Sequence, residues 1–421
     1  MFVQLSLCMS IQKDLQYYKF CSYGFLKNLR FFDAFFILFL VNKGLSYTEI
    51  GILYAFREII VNLLEIPSGI AADSFGRKNA LILSFLAYII SFVIFYISTG
   101  FWVFLIAFLL YGIGEAFRSG THKGMIMRYL QIKNQGKLKV SYYGHTRSWS
   151  QKGSAISALA AGTLVFFNGD YNSIFLFSAV PYLLNILLVF SYPSELNYTS
   201  KTTKNPIKKV QSTSRSFFGI LRQPGVLKIM STAAFHTAYL KAVKDYIQPL
   251  MVQVALLVPW MLKMPANKKN ALIIGAIYFI IYLLTSTASR KAGLFDQKNK
   301  EIVAFNTLII GFAAGIVCAF SWYWHIYWLA LVAFAVIFVI ESLRKPILTG
   351  AIADNVPNPI LTSVLSAQSQ LKTILTALIA LVFGFFADTF DIATAFFAVS
   401  FTLLSLSLII KLFSSTSLTN L

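Results

Sequence analysis

Two short stretches place an acid and an arginine three residues apart: Glu115-Ala-Phe-Arg118 and Glu341-Ser-Leu-Arg344. On a helix that spacing puts both side chains on one face, where they can pair. Each stretch lies in an apolar run, so its charges could bind a proton, an ion or a polar solute away from bulk water. Other apolar runs hold Asp33, Arg57, Glu58, Lys152, Lys241, Asp245 and Lys372. Several of these form stripes. Glu58, Asn62 and Glu65 follow i, i+4, i+7, and Glu115, Arg118 and His122 follow i, i+3, i+7. Lys241, Asp245 and Gln248 share a face, as do Gln368 and Lys372. An ionisable residue deep in a membrane helix costs roughly 2.5–3.5 kcal/mol on insertion scales. Lipid cannot solvate such stripes, so they must face a bundle interior or a wet cavity.

By depth, Arg57, Glu58, Glu115, Arg118, Lys152, Lys241, Asp245 and Lys372 are expected near the midplane, as substrate or coupling-ion residues. Glu115, Asp33 and Asp245 are the acids that could carry a coupling proton. Desolvation favours a protonated carboxylate and a neighbouring arginine opposes it, so a substrate that displaces the arginine can switch proton affinity. Glu341 and Arg344 lie lower in their run and are expected to close an inner gate. Arg30, Arg147 and Lys244 sit near run ends, where a long cation can snorkel to the interface. His122 is expected to be a hydrogen-bonded contact near a helix end.

The elements that must position these residues are membrane helices. Of the 421 residues, 57% are hydrophobic and 12% charged, and mean hydropathy is +0.69. Soluble domains carry about 25% charged residues. At about 20 apolar residues per crossing, the chain reads as about twelve spans: 24–42, 47–71, 78–98, 101–127, 141–167, 171–192, 226–257, 270–289, 301–320, 323–348, 361–386 and 391–412. This is an all-α polytopic membrane protein. A six-helix bundle over 24–192 and another over 226–412 are joined by a polar, basic linker, 193–225. A 1–23 tail precedes them and a 413–421 tail follows.

The formal net charge of +20 would raise nucleic acid as a partner in a soluble protein. Here Lys and Arg cluster in short loops, which instead indicates topology and contact with anionic lipid. The bias places both termini and the linker in the cytoplasm, in a bacterial inner (plasma) membrane. Cys8, Cys21 and Cys318 have no paired metal spacing, and neither metal nor cofactor is expected. No enzyme motif was found, and Gly112-Ile-Gly114 lies inside an apolar run with no strand before it. Translation could start at Met1 or Met9.

Between the second and third runs stands Gly69-Ile-Ala-Ala-Asp73-Ser-Phe-Gly76-Arg77-Lys78. This pattern resembles the signature loop between the second and third helices of major facilitator superfamily transporters. The resemblance implies two pseudo-symmetric six-helix bundles with the substrate site between them near the midplane. It also implies a gating role for Gly69, Asp73, Gly76, Arg77 and Lys78. A repeat is consistent with this, because one offset relates Glu115 to Glu341 and Arg118 to Arg344, with Asp33 and Asp245 at corresponding places. The second half has no clean copy of the loop, and the fifth run lacks the Gly-Pro pair of drug/proton antiporters.

The expected function is secondary, proton-coupled transport of a small anionic solute by alternating access, by a monomer. The alternatives are a polyspecific exporter of amphipathic compounds and a non-transporting receptor on the same fold.

Overall fold

Long apolar runs cannot leave backbone N–H and C=O groups bare in lipid, so they close these bonds within helices. In the computed structural model this produces twelve helical passes among the described residues. Residues 13–135, 138–197, 224–258, 264–291, 300–355 and 358–416 are described. The helices are α1 (Leu15–Leu26), α2 (Phe36–Asn42), α3 (Tyr47–Phe75), α4 (Arg77–Ile97), α5 (Phe101–Arg118), α6 (Thr121–Ile132), α7 (Lys139–Asn168) and α8 (Ser173–Phe190) in the first half. The second half holds α9 (Pro224–Val243), α10 (Ile247–Leu256), α11 (Ala266–Lys291), α12 (Lys300–Tyr323), α13 (Tyr327–Asn355), α14 (Asn358–Thr389) and α15 (Ile392–Thr416). Among the described residues, eight helical stretches are long and apolar enough to cross a membrane on composition alone. The other four passes are α1–α2, α3, α7 and α9–α10, which include the most polar ones.

Three passes are interrupted where the sequence reads as continuous. The first begins at Leu15, inside the segment assigned to the amino-terminal tail, and breaks at a 3-10 turn over Phe31–Ala34. The seventh breaks at a 3-10 turn over Lys244–Tyr246. The fourth ends at Arg118 and restarts at Thr121. His122 therefore lies on a separate helix and does not extend the Glu115–Arg118 stripe. Most of the linker, residues 198–223, lies outside the described residues, as do 1–12 of the amino-terminal tail and 417–421 of the carboxyl-terminal one.

The first half is held by rings. Phe36 stacks on Phe108 at 5.5 Å and meets Phe95 edge-on at 5.4 Å, and Phe95 stacks on Phe175 at 5.1 Å. Such pairs add about 0.5–1.5 kcal/mol each beyond area burial.

The halves meet along two helix pairs, α3 with α14 and α7 with α11. Each crossing is made by glycines. A Cβ on Gly51 would come 2.5 Å from the Ala380 carbonyl oxygen and 3.3 Å from Gly384 Cα. One on Gly162 would come 2.7 Å from the Ala271 oxygen and 3.3 Å from Gly275 Cα. Polar ties lie beside these crossings. Asp388 accepts from the N–H groups of Tyr47 (2.8 Å) and Thr48 (2.6 Å), and Asn267 donates to the Gly169 carbonyl at 3.0 Å. All belong to the end of the molecule away from the Gly76 loop.

Candidate functional site

Midway along the passes, polar groups of the two halves face each other. α3 brings Glu58, which is 1% exposed. It accepts from its neighbour Arg57 at 3.1 Å and from Lys241 of α9, in the other half, at 2.6 Å. The Arg57 guanidinium lies over the rings of Tyr54 (4.9 Å) and Tyr111 (5.7 Å). One turn further along α3, Asn62 donates to Thr373 Oγ1 at 2.5 Å. The expected face of Glu58 and Asn62 is therefore real, and it points across the interface.

The turns that break passes one and seven each carry an acid beside a cation. Arg30 pairs with Asp33 at 2.7 Å and donates to Tyr111 Oη at 2.8 Å. Lys244 pairs with Asp245 at 2.5 Å, and Asp245 accepts from Tyr54 Oη, across the halves, at 3.0 Å. Lys244 thus sits mid-pass with a partner and does not snorkel. Gln248 reaches across too, donating to the Asp33 carbonyl at 2.9 Å and accepting from the Ile37 N–H at 2.9 Å.

Glu115 and Arg118 form the ion pair their spacing predicts, and Tyr88 Oη donates to Glu115 at 2.6 Å. The second copy differs. Helix α13 runs on to Asn355, so Glu341 lies mid-helix and not low in the span. It meets His236 Nδ1 at 2.9 Å and Thr237 Oγ1 at 2.7 Å, with Lys345 Nζ at 3.8 Å. Arg344, 1% exposed, donates to Thr307 Oγ1 (2.8 Å) and to the carbonyls of Thr232 (2.6 Å) and Ala304. These contacts stay within the second half and tie α9, α12 and α13 together.

Between the halves lies a cavity of about 490 Å³. Of the residues expected at the midplane, Glu115, Lys241 and Lys372 line it, and Glu341, Lys244, Lys345, Gln368 and Ser369 join them. Asp33, Arg57, Glu58, Arg118 and Asp245 stand behind that wall. Lys152 points its ammonium over the Trp149 ring at 5.0 Å and lies outside the lining. Sequence reasoning passed over His236, Thr237 and Lys345. A histidine inside an apolar run, with an acid in a later one, was the available signal for the first.

The Gly69–Lys78 segment forms a tight reversal. Gly76 adopts φ +94°, which a Cβ would strain, with the Asn197 amide packed against it. Asp73 pairs with Arg77 at 3.4 Å. The Lys78 N–H donates to Asn197 Oδ1 at 2.9 Å, and its ammonium caps α8 at the carbonyls of Phe190 (3.0 Å) and Tyr192 (2.8 Å). A cation at a helix C-terminus is favourable. Gly69 faces open space. His122 stacks on Tyr23 at 3.6 Å and lies 3.3 Å from Tyr192 Oη, a packed helix contact.

Comparison with known proteins places this geometry in context. A sequence profile described as Major Facilitator Superfamily matches residues 26–374. The chain is 22% identical over 394 residues to an uncharacterized MFS-type transporter, YxaM, of Bacillus subtilis (strain 168), across 91% of this chain and 92% of that protein. Among solved structures it is similar to a mutant of the nucleoside transporter NupG (TM-score 0.72, 14% identity, 94% of this chain and 97% of that one). It is also similar to a mutant of a peptide transporter, POT, in complex with sulfate (0.73, 12%, 95% and 94%). A third is the xylose transporter XylE from E. coli in an inward open conformation (0.66, 14%, 94% and 94%). At these identities the likeness is one of fold.

Proposed function

This chain belongs to the major facilitator superfamily, and we propose that it moves a small anionic solute by proton-coupled alternating access. The coarser part of that statement stands by itself: it is an integral membrane protein and a secondary transporter. Its structural neighbours carry nucleosides, peptides and xylose by their names, so the fold does not select the solute. The observation that carries the anionic reading is the cavity wall, where Lys241, Lys244, Lys345 and Lys372 stand between the two halves.

In this reading the solute's anionic group competes with Glu58 for Lys241. That ion pair bridges the halves at 2.6 Å, so its exchange for a substrate contact loosens one half from the other. Glu115, paired with Arg118 and facing the cavity, is the coupling acid. Both termini and Pro193–Gly225 are cytoplasmic, as the cation bias favours. The cavity then serves the cytoplasmic side in this conformation, and the Asp73–Lys78 loop gates that side.

Purified protein in liposomes tests the reading. Addition of organic anions should drive solute uptake together with proton movement across the membrane. Solute binding with neither solute nor proton movement would favour a receptor on a transporter fold.

A further inference from the structure

We infer that the transported solute is a small aliphatic molecule bearing two acidic groups. This rests on the anion-transport reading above and narrows it. The first observation is what the cavity lacks. Phe, Trp and Tyr make up 16% of the chain, and rings crowd the first half. Yet among the described residues no aromatic side chain lines the cavity. A nucleobase, a drug ring or a sugar face would find no ring to stack on.

The second observation is how the cations are distributed. Lys241 on α9, Lys345 on α13 and Lys372 on α14 reach one cavity from three helices. Like charges gathered around one cavity repel one another. The acids nearby relieve this unevenly. Glu58 takes Lys241 at 2.6 Å. Glu341 lies 3.8 Å from Lys345, and its oxygens already meet His236 and Thr237. Glu115 is held by Arg118 and Tyr88. Among the described residues Lys372 has no carboxylate partner, only Ser369 Oγ at 3.5 Å. One acidic group of the solute fits Lys372. The second fits Lys241 once Glu58 has left it, with Lys345 adding positive charge beside it. A single anionic group would leave one wall of the cavity unmatched. Thr237, Gln368 and Ser369 can hydrogen-bond the remaining acid oxygens.

The test is thermal unfolding of the purified full chain against five probes, with counterflow in liposomes alongside. Succinate carries two carboxylates, phosphoglycolate one carboxylate and one phosphate, and butyrate one carboxylate on the same carbon count as succinate. Uridine and tetraphenylphosphonium supply rings without acids. Succinate or phosphoglycolate should raise the midpoint with concentration, as a ligand specific to the folded state must, and whichever does so identifies the acid type. Butyrate at equal ionic strength should not. Lys372→Gln and Lys345→Gln should each weaken that response about tenfold or more at unchanged folded yield. A midpoint raised by uridine or tetraphenylphosphonium and by neither diacid overturns the inference. So does an unchanged diacid response in the double variant, or no response to either diacid in folded parental protein. Counterflow separates the two readings. Uridine exchange would sink the diacid assignment and keep a transporter, whereas diacid binding without exchange would sink transport and keep the site.

Discussion

The two Glu-x-x-Arg stretches have the same spacing, and their surroundings turn them to different ends. Glu115 and Arg118 satisfy each other and share Tyr88, which donates to the acid and accepts from Arg118 Nε at 3.3 Å. The pair is electrically closed yet stands at the cavity, where a solute or proton could reopen it. Glu341 and Arg344 are divorced. The acid faces the cavity and leans on a histidine and a threonine, while the arginine points into its own half toward backbone carbonyls. Duplicated spacing thus preserves position along a helix and leaves partnership to whatever the neighbouring helices offer. The first copy closes on itself beside the cavity, and the second holds α9, α12 and α13 together.

The difference is open to attack at four points, the largest effect first. Arg344→Ala deletes charged hydrogen bonds worth about 1.5–3 kcal/mol each, to Thr307 Oγ1 and to the Thr232 and Ala304 carbonyls, that join three helices. Folded yield in detergent should collapse, or the unfolding midpoint fall by many degrees. Arg118→Ala, measured in parallel, should fold far better, since no backbone carbonyl depends on it. Similar losses in both would erase the distinction.

Glu115→Gln should abolish gradient-driven uptake and retain counterflow exchange, because the amide keeps a hydrogen bond to Tyr88 and cannot release a proton. Undiminished gradient-driven uptake would remove Glu115 as the coupling acid. His236→Gln keeps a donor for Glu341 in place of a ring that is wholly buried. Turnover should drop several-fold while the folded yield stays within about twofold. A collapse in yield would mean that Glu341, too, is purely structural. Tyr88→Phe takes two hydrogen bonds, each worth about 1 kcal/mol or somewhat more, from the Glu115–Arg118 pair. Counterflow should slow no more than about fivefold, and complete loss would make Tyr88 a direct substrate ligand.

Much of the architecture was legible because hydropathy and helix length are local properties. Residues such as Pro181, mid-helix in α8, did not obscure the count of spans. The breaks at Phe31–Ala34 and Lys244–Tyr246 were not legible. Both sit in apolar runs, and the turn is stabilised by partners from elsewhere, Tyr111 for Arg30 and Tyr54 for Asp245. Lys241 and Lys372 line the cavity, each midway along its pass. Glu341 lies mid-helix, because α13 continues through seven residues beyond the last one assigned to its span. The face of Lys152 depended on where Trp149 lay, one helical turn away on α7. The clamp of Lys78 on the end of α8 joins residues more than a hundred positions apart, and no local pattern announces it.

Return to the glycine crossings, Gly51 with Gly384 and Gly162 with Gly275. Each is a bare backbone rolling surface, one where α3 meets α14 and the other where α7 meets α11. They act as a matched pair of bearings: backbone meets backbone there, and the polar ties of Asp388 and Asn267 beside them hold the halves in line. One added carbon is a shim. An alanine at Gly51 should hold the Tyr47 end ajar on its side alone, so the halves would yaw as well as rock. The machine would then leak strain sideways before it lost any contact with its cargo.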